Sequence, residues 1–170
     1  MEPIIRDERP EDAEAIENLT IAAFREAPHA DGTEHHIVSA LRRTGRLAVS
    51  LVAEEGGEIV GHVAVSPVTV SDGSAGWFGL GPISVTPGRQ REGIGSLLMT
   101  RALDELRGLG AHGCVVLGDP AYYGRFGFRA EPGLVLPGVP PEYFQALAFR
   151  GPLPSGSVEY DEAFAAPATD

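Results

Sequence analysis

Residues 83–117 constrain the fold more than any other stretch. An apolar strand ends at Val85, and Pro87 stops it. A basic, glycine-bearing loop follows, and Gly93-Ile94-Gly95 opens a helix expected to run to about Gly110. Ile94, Leu98, Ala102, Leu106 and Leu109 form one apolar stripe along it. A second apolar strand occupies residues 114–117. Strand, helix and strand in that order predict a crossover between two parallel strands. A glycine turn at a helix start also offers unpaired N–H groups and the positive end of the helix dipole. Glycine lets a ligand approach the backbone closely. The stretch therefore reads as a cradle for phosphate or pyrophosphate.

The rest of the chain fills in around that crossover. A short strand at Ile4-Ile5 precedes a helix carrying Ala15, Ile16, Leu19, Ala22, Ala23 and Phe24 at helical spacing. Pro28, Asp31 and Gly32 break it, and a second helix runs from Thr33 to Gly45. Strands are expected over 47–54, 58–70 and 76–86, the first two joined by the turn Glu55-Gly56-Gly57. After the crossover, Asp119-Pro120 marks the cap and first residue of a short helix over 121–125. Further expectations are a strand from Gly127-Phe128, a short helix over 141–148 and an edge strand over 157–160. The fold class is thus α/β, with a mixed sheet, an antiparallel first half and one central crossover. Residues 1–170 make one domain, of which 131–170 is a Pro/Gly-rich C-terminal extension.

Composition removes several functions. No lysine is present; all 13 basic residues are arginine. That excludes a P-loop NTPase and Schiff-base chemistry. The net charge of −11 speaks against nucleic acid as a partner. Apolar runs are too short to span a membrane, and the N-terminus lacks an apolar signal core, so a cytoplasmic protein is expected. The single Cys114 sits in an apolar run and reads as a buried thiol, which leaves no disulfide framework or multi-cysteine metal site. A Rossmann fingerprint needs a third glycine three residues after the second, and here Leu98 stands there.

The loop instead resembles the GNAT superfamily of acetyl-CoA-dependent N-acetyltransferases. Val85-Thr86-Pro87 followed by Gln90-Arg91-Glu92-Gly93-Ile94-Gly95 matches its Val-x-Pro and Gln/Arg-x-x-Gly-x-Gly/Ala signature. Gly61-His62, Ser66-Pro67-Val68, Gly79-Leu80-Gly81-Pro82 and residues 117–128 are similar to the YhbS-like branch. The resemblance implies the GNAT fold and acetyl transfer from acetyl-CoA to an amine, with no metal. It implies that main-chain N–H groups from Gln90 to Ser96, through Arg91, Glu92, Gly93, Ile94 and Gly95, hold the pyrophosphate. Arg89 and Arg91 would add charge, and Ser96 a hydroxyl. Main-chain groups of Ile83 and Val85 would pair with the pantetheine arm in a slot between splayed parallel strands.

In such enzymes a tyrosine four residues before the glycine of a Gly-Phe pair protonates the leaving thiolate. Tyr123 holds that position before Gly127-Phe128. Asp119 reads as a helix cap. Many relatives carry a glutamate base on the strand before the loop, but no carboxylate lies between Gly73 and Gly88. Glu34, His35, His62 or a water are the candidates for deprotonating the amine. The acceptor is a small-molecule or peptide amine, and a homodimer or a non-catalytic acyl-CoA-binding module remain as alternatives.

Overall fold

The computed structural model describes residues 2–25 and 32–165. Strand β1 (Ile4–Asp7) leads through one 3-10 turn into helix α1 (Ala13–Phe24), and α2 (Glu34–Arg43) follows. Pro28 and Asp31, expected to break α1, lie outside the described residues. Strands β2 (Val49–Glu55) and β3 (Glu58–Pro67) form the expected hairpin. Its two turn residues, Gly56 and Gly57, sit at φ 60° and 84°, the pair of left-handed conformations such a tight turn requires.

The strand expected over 58–70 breaks after Pro67, which has no N–H for a ladder. Strand β4 (Thr69–Val70) leaves for a second sheet. Strand β5 (Trp77–Val85), helix α3 (Ile94–Gly108) and strand β6 (Gly113–Leu117) make the crossover, and β5 and β6 pair in parallel. Helix α4 (Pro120–Tyr123) follows, capped by the Asp119 carboxylate, which accepts from the Ala121 N–H at 2.9 Å. The remaining strands are β7 (Leu134–Val135), β8 (Phe144–Ala148) and β9 (Gly156–Glu159).

The main sheet has six strands in the order β1-β2-β3-β5-β6-β8, and the smaller one runs β4-β9-β7. Three C-terminal expectations are corrected here. Residues 144–148 are a strand, because β6 offers an open ladder edge and Phe144 and Ala146 alternate inward beside it. Gly127-Phe128 starts no strand: Gly127 turns at φ 99°, and only an isolated bridge joins Arg129 to Ala146. Strand β9 is central in its small sheet rather than an edge.

Helix α3 packs on one face of the main sheet through Ile94, Leu98, Ala102 and Leu106, all buried. Leu109, expected in that stripe, ends the helix and is 61% exposed. Gly61 in β3 permits the close approach, since a Cβ there would stand 2.9 Å from both Ile94 and Leu98. Helices α1 and α2 cover the other face, where Ile16 and Val38 meet Val52 and Ala64. Trp77 and Phe78 point to opposite faces, as strand neighbours must. No described helix is long and apolar enough to cross a membrane.

Candidate active site

The chain around α3 builds a groove from backbone. Gly93 caps the helix at φ 88° with no side-chain cap, and the first turn of α3 holds no acidic residue. A Cβ on Gly93 would meet nothing within 4 Å, so the space beside this glycine is open. Gly95 is confined differently: its missing Cβ would stand 3.1 Å from the Tyr122 hydroxyl. Arg91 adopts φ 70° in the exposed loop. Arg89 is held by Glu55 at 3.0 Å and Glu92 at 2.7 Å. Expected as a phosphate partner, it is instead occupied in tying the loop to β2.

The sheet opens beside this loop. Strands β5 and β6 pair from Trp77/Gly113 to Gly79/Val115 and no further, while β5 stays paired with β3 up to Val85. In the step between Val63/Ile83 and Val65/Leu80 a bulge adds one residue to β5. The Thr86 N–H donates to Val60 O at 2.9 Å. By the alternation of an antiparallel ladder, Ser84 turns its main-chain groups to β3, and Ile83 and Val85 turn theirs into the split. The Gln90 side chain reaches back towards Val85 O at 3.4 Å.

On the far side of the split lies a cavity of about 630 Å³. Its walls are the end of α1, the start of α2, the β5 bulge, the end of β6 and the C-terminal segment. Tyr123 stands in it, its ring against Gly118, where a Cβ would lie 2.6 Å from Cε2. Burial, and the neighbouring Tyr122 and Asp119, push the Tyr123 phenol up to about 12. It is a neutral proton donor at ordinary pH. Tyr122, next in the chain, points instead to the α3 start, so the two rings meet edge-on at 5.1 Å.

The three side chains considered for deprotonating an amine separate clearly. Glu34 lines the cavity. His35 does not; its ring lies against His36, with centroids 4.0 Å apart. His62 is fully buried, with Nε2 2.8 Å from Ser50 Oγ and 3.9 Å from Glu8. Burial drives its pKa down to about 4, against the pull of Glu8 and with the push of Arg42. It is a neutral structural imidazole away from the cavity.

The sequence missed one feature and left a second unresolved. Arg125 has no carboxylate partner among the described residues; it lies over the Tyr122 ring at 5.3 Å and reaches Ser96 Oγ at 3.5 Å. It thus brings positive charge to the α3 start from 29 positions away. The second is the C-terminal lining, from Leu136, Pro137, Val139, Tyr160 and Phe164. Arg125 had a signal, its place two residues after Tyr123; residues 131–170 were open as a cover for the acceptor pocket, but which of them line it could not be read from the sequence.

Known proteins share this fold. Residues 13–128 match the profile of the acetyltransferase (GNAT) family. The N-acetyltransferase YhbS of Escherichia coli is 37% identical over 127 residues, 74% of this chain and 73% of that protein. The crystal structure of YhbS in complex with CoA superposes with a TM-score of 0.88 at 34% identity, covering 98% and 93% of the two chains. A GNAT family acetyltransferase from Brucella melitensis, solved in complex with acetyl-CoA, is 49% identical. Its TM-score is 0.86, over 95% of this chain and 97% of that one. The chain belongs to the GNAT family of acetyltransferases.

Proposed function

We propose that the protein transfers an acetyl group from acetyl-CoA to a primary amine, with Tyr123 as general acid. One observation carries this: the strands β5 and β6 part after Gly79 and Val115, and the cavity beside that split is lined by Ile83 of β5, Leu117 of β6 and Tyr123. The residues fit acetyl-CoA. The N–H groups from Gln90 to Ser96, including those of Arg91, Glu92, Gly93, Ile94 and Gly95, suit the pyrophosphate, with the Ser96 hydroxyl and Arg125 beside them. Main-chain groups of Ile83 and Val85 suit an extended amide-bearing arm, which binds as an added strand would. The thioester supplies the activated acyl carbon.

The protein's part is to position and to move protons. A neutral amine forms the C–N bond, the C–S bond breaks, and its electron pair goes to sulfur. Tyr123 gives the sulfur its proton and regains one from the acylated nitrogen. Before attack, an amine that arrives as ammonium would give up its extra proton through water to Glu34, which lines the cavity. The transfer as written uses no metal. The unit is the whole chain, since β8 completes the main sheet and residues beyond 131 line the cavity. We place it in the cytoplasm, acting on a small-molecule or peptide amine.

Tyr123→Phe tests the reading. Turnover is expected to fall about a hundredfold or more while acetyl-CoA affinity stays within about twofold. Unchanged turnover with a confirmed acceptor removes the role of Tyr123. The lack of any carboxylate on β5 supports a second reading, a binding module without catalysis. Its signature is acetyl-CoA binding without thiol release.

A further inference from the structure

The walls of the acceptor cavity are mostly apolar. Phe24, Ile37, Leu80, Leu117 and Phe164 reach it from five separate elements. Pro82 and Pro137 line it too, and neither brings an N–H. Tyr123 and Tyr160 complete the wall as phenols that burial keeps neutral. At about 630 Å³ the cavity has room for a drug-sized molecule.

Charge on these walls has one sign. Glu34 is the one carboxylate there among the described residues, and no arginine joins it. The chain has no lysine, and residues 26–31 and 166–170, outside the described part, hold no arginine. Arg125 stands at the α3 start beside Ser96, and Arg46 is held by Asp161 at 3.2 Å. The whole chain carries a net charge of −11. Such a cavity sorts amines by what surrounds the amino group. An ammonium is drawn in, and an apolar body leaves water for apolar walls. A carboxylate beside the amine, as in an amino acid, meets Glu34 and no cation, and loses its water without a partner. A polyamine buries a second ammonium with one carboxylate to share, and a peptide brings amides against apolar walls.

We propose that the acceptor is a monoamine with an apolar aliphatic or aromatic body and no carboxylate. This rests on the transfer reading above and names its substrate class. Amino acids and polyamines are refused because their second charge finds no partner in the cavity.

Matched amines test this on the wild-type chain, with thiol release from acetyl-CoA as the readout. Phenethylamine and phenylalanine share a ring and differ by the carboxylate. The kcat/KM for phenethylamine is expected to be about a hundredfold the higher of the two, and phenylalaninamide, which lacks the negative charge, should recover about tenfold over phenylalanine. From propylamine to hexylamine, kcat/KM should climb about fourfold with each methylene. Leu136→Arg puts a cation on a half-buried wall position, and the preference for phenethylamine over phenylalanine should shrink about tenfold. Phenylalanine within about threefold of phenethylamine, a flat alkylamine series or an unmoved preference in Leu136→Arg overturns the inference. So does faster turnover of spermidine, of a peptide N-terminus or of a lysine side chain in α-N-acetyl-lysine amide. Each of these leaves acetyl transfer standing. Acetyl-CoA binding without thiol release for any amine overturns the transfer reading itself, and the substrate class with it.

Discussion

The groove along α3 and the cavity across the split are made of different materials. The groove is backbone: helix-start N–H groups, glycine space at Gly93 and main-chain groups of Ile83 and Val85. The cavity is side chains, drawn from Phe24, Ile37, Leu117, Leu136 and Phe164 on separate elements. A backbone groove has little to vary and suits a ligand that relatives share. A side-chain cavity changes with each substitution and suits a ligand particular to this chain. On the proposed reading, specificity for the amine would belong to the cavity.

Breaking the groove gives the largest effect. Gly93→Val forces a β-branched residue to φ 88° and fills the open space beside Gly93. Acetyl-CoA affinity by calorimetry should fall about a hundredfold, on the scale of a strained backbone plus lost amide contacts. Arg125→Ala removes one charge from the α3 start and should weaken acetyl-CoA about tenfold, most clearly at low salt. Arg89→Ala sharpens the point, because that guanidinium is already spent on Glu55 and Glu92. Its effect on affinity should stay within about twofold.

The same contrast explains what could be read in advance. Residues 83–96 are contiguous, so pattern alone exposed the groove, its helix and the parallel pair. Tyr123 was singled out through resemblance, by its fixed spacing from Gly127-Phe128, and it lines the cavity. The cavity was not, because its walls meet only after β8 and β9 have docked. Residues 144–148 read locally as helix, and the open edge of β6 decided otherwise. Arg89 looked free because its partner Glu55 lies 34 positions away.

On the cavity side, Leu136→Glu places a charge in an apolar wall. The Michaelis constant for the amine should rise about fivefold while acetyl-CoA affinity is unchanged. The smallest effect on turnover is expected at His62, which touches neither half. His62→Gln should leave the acidic limb of the pH–rate profile in place; a lost limb would return His62 to the list of bases. Its signature is stability. Between pH 6.5 and 4 the unfolded chain takes up a proton at His62 that the folded chain refuses, facing Ser50, Glu8 and Arg42. Wild type should therefore lose stability as pH falls through that window. In His62→Gln the urea midpoint should fall less steeply, by about one proton's worth of slope.

The central claim is that groove and cavity join into one transfer site. Free-thiol release from acetyl-CoA, followed by mass spectrometry of the amine, tests it most directly over a panel of polar, aliphatic and aromatic primary amines. The expected result is thiol release that depends on an amine, with one N-acetyl group on the product for each thiol. Tight acetyl-CoA binding with no amine-dependent release across the panel would contradict it.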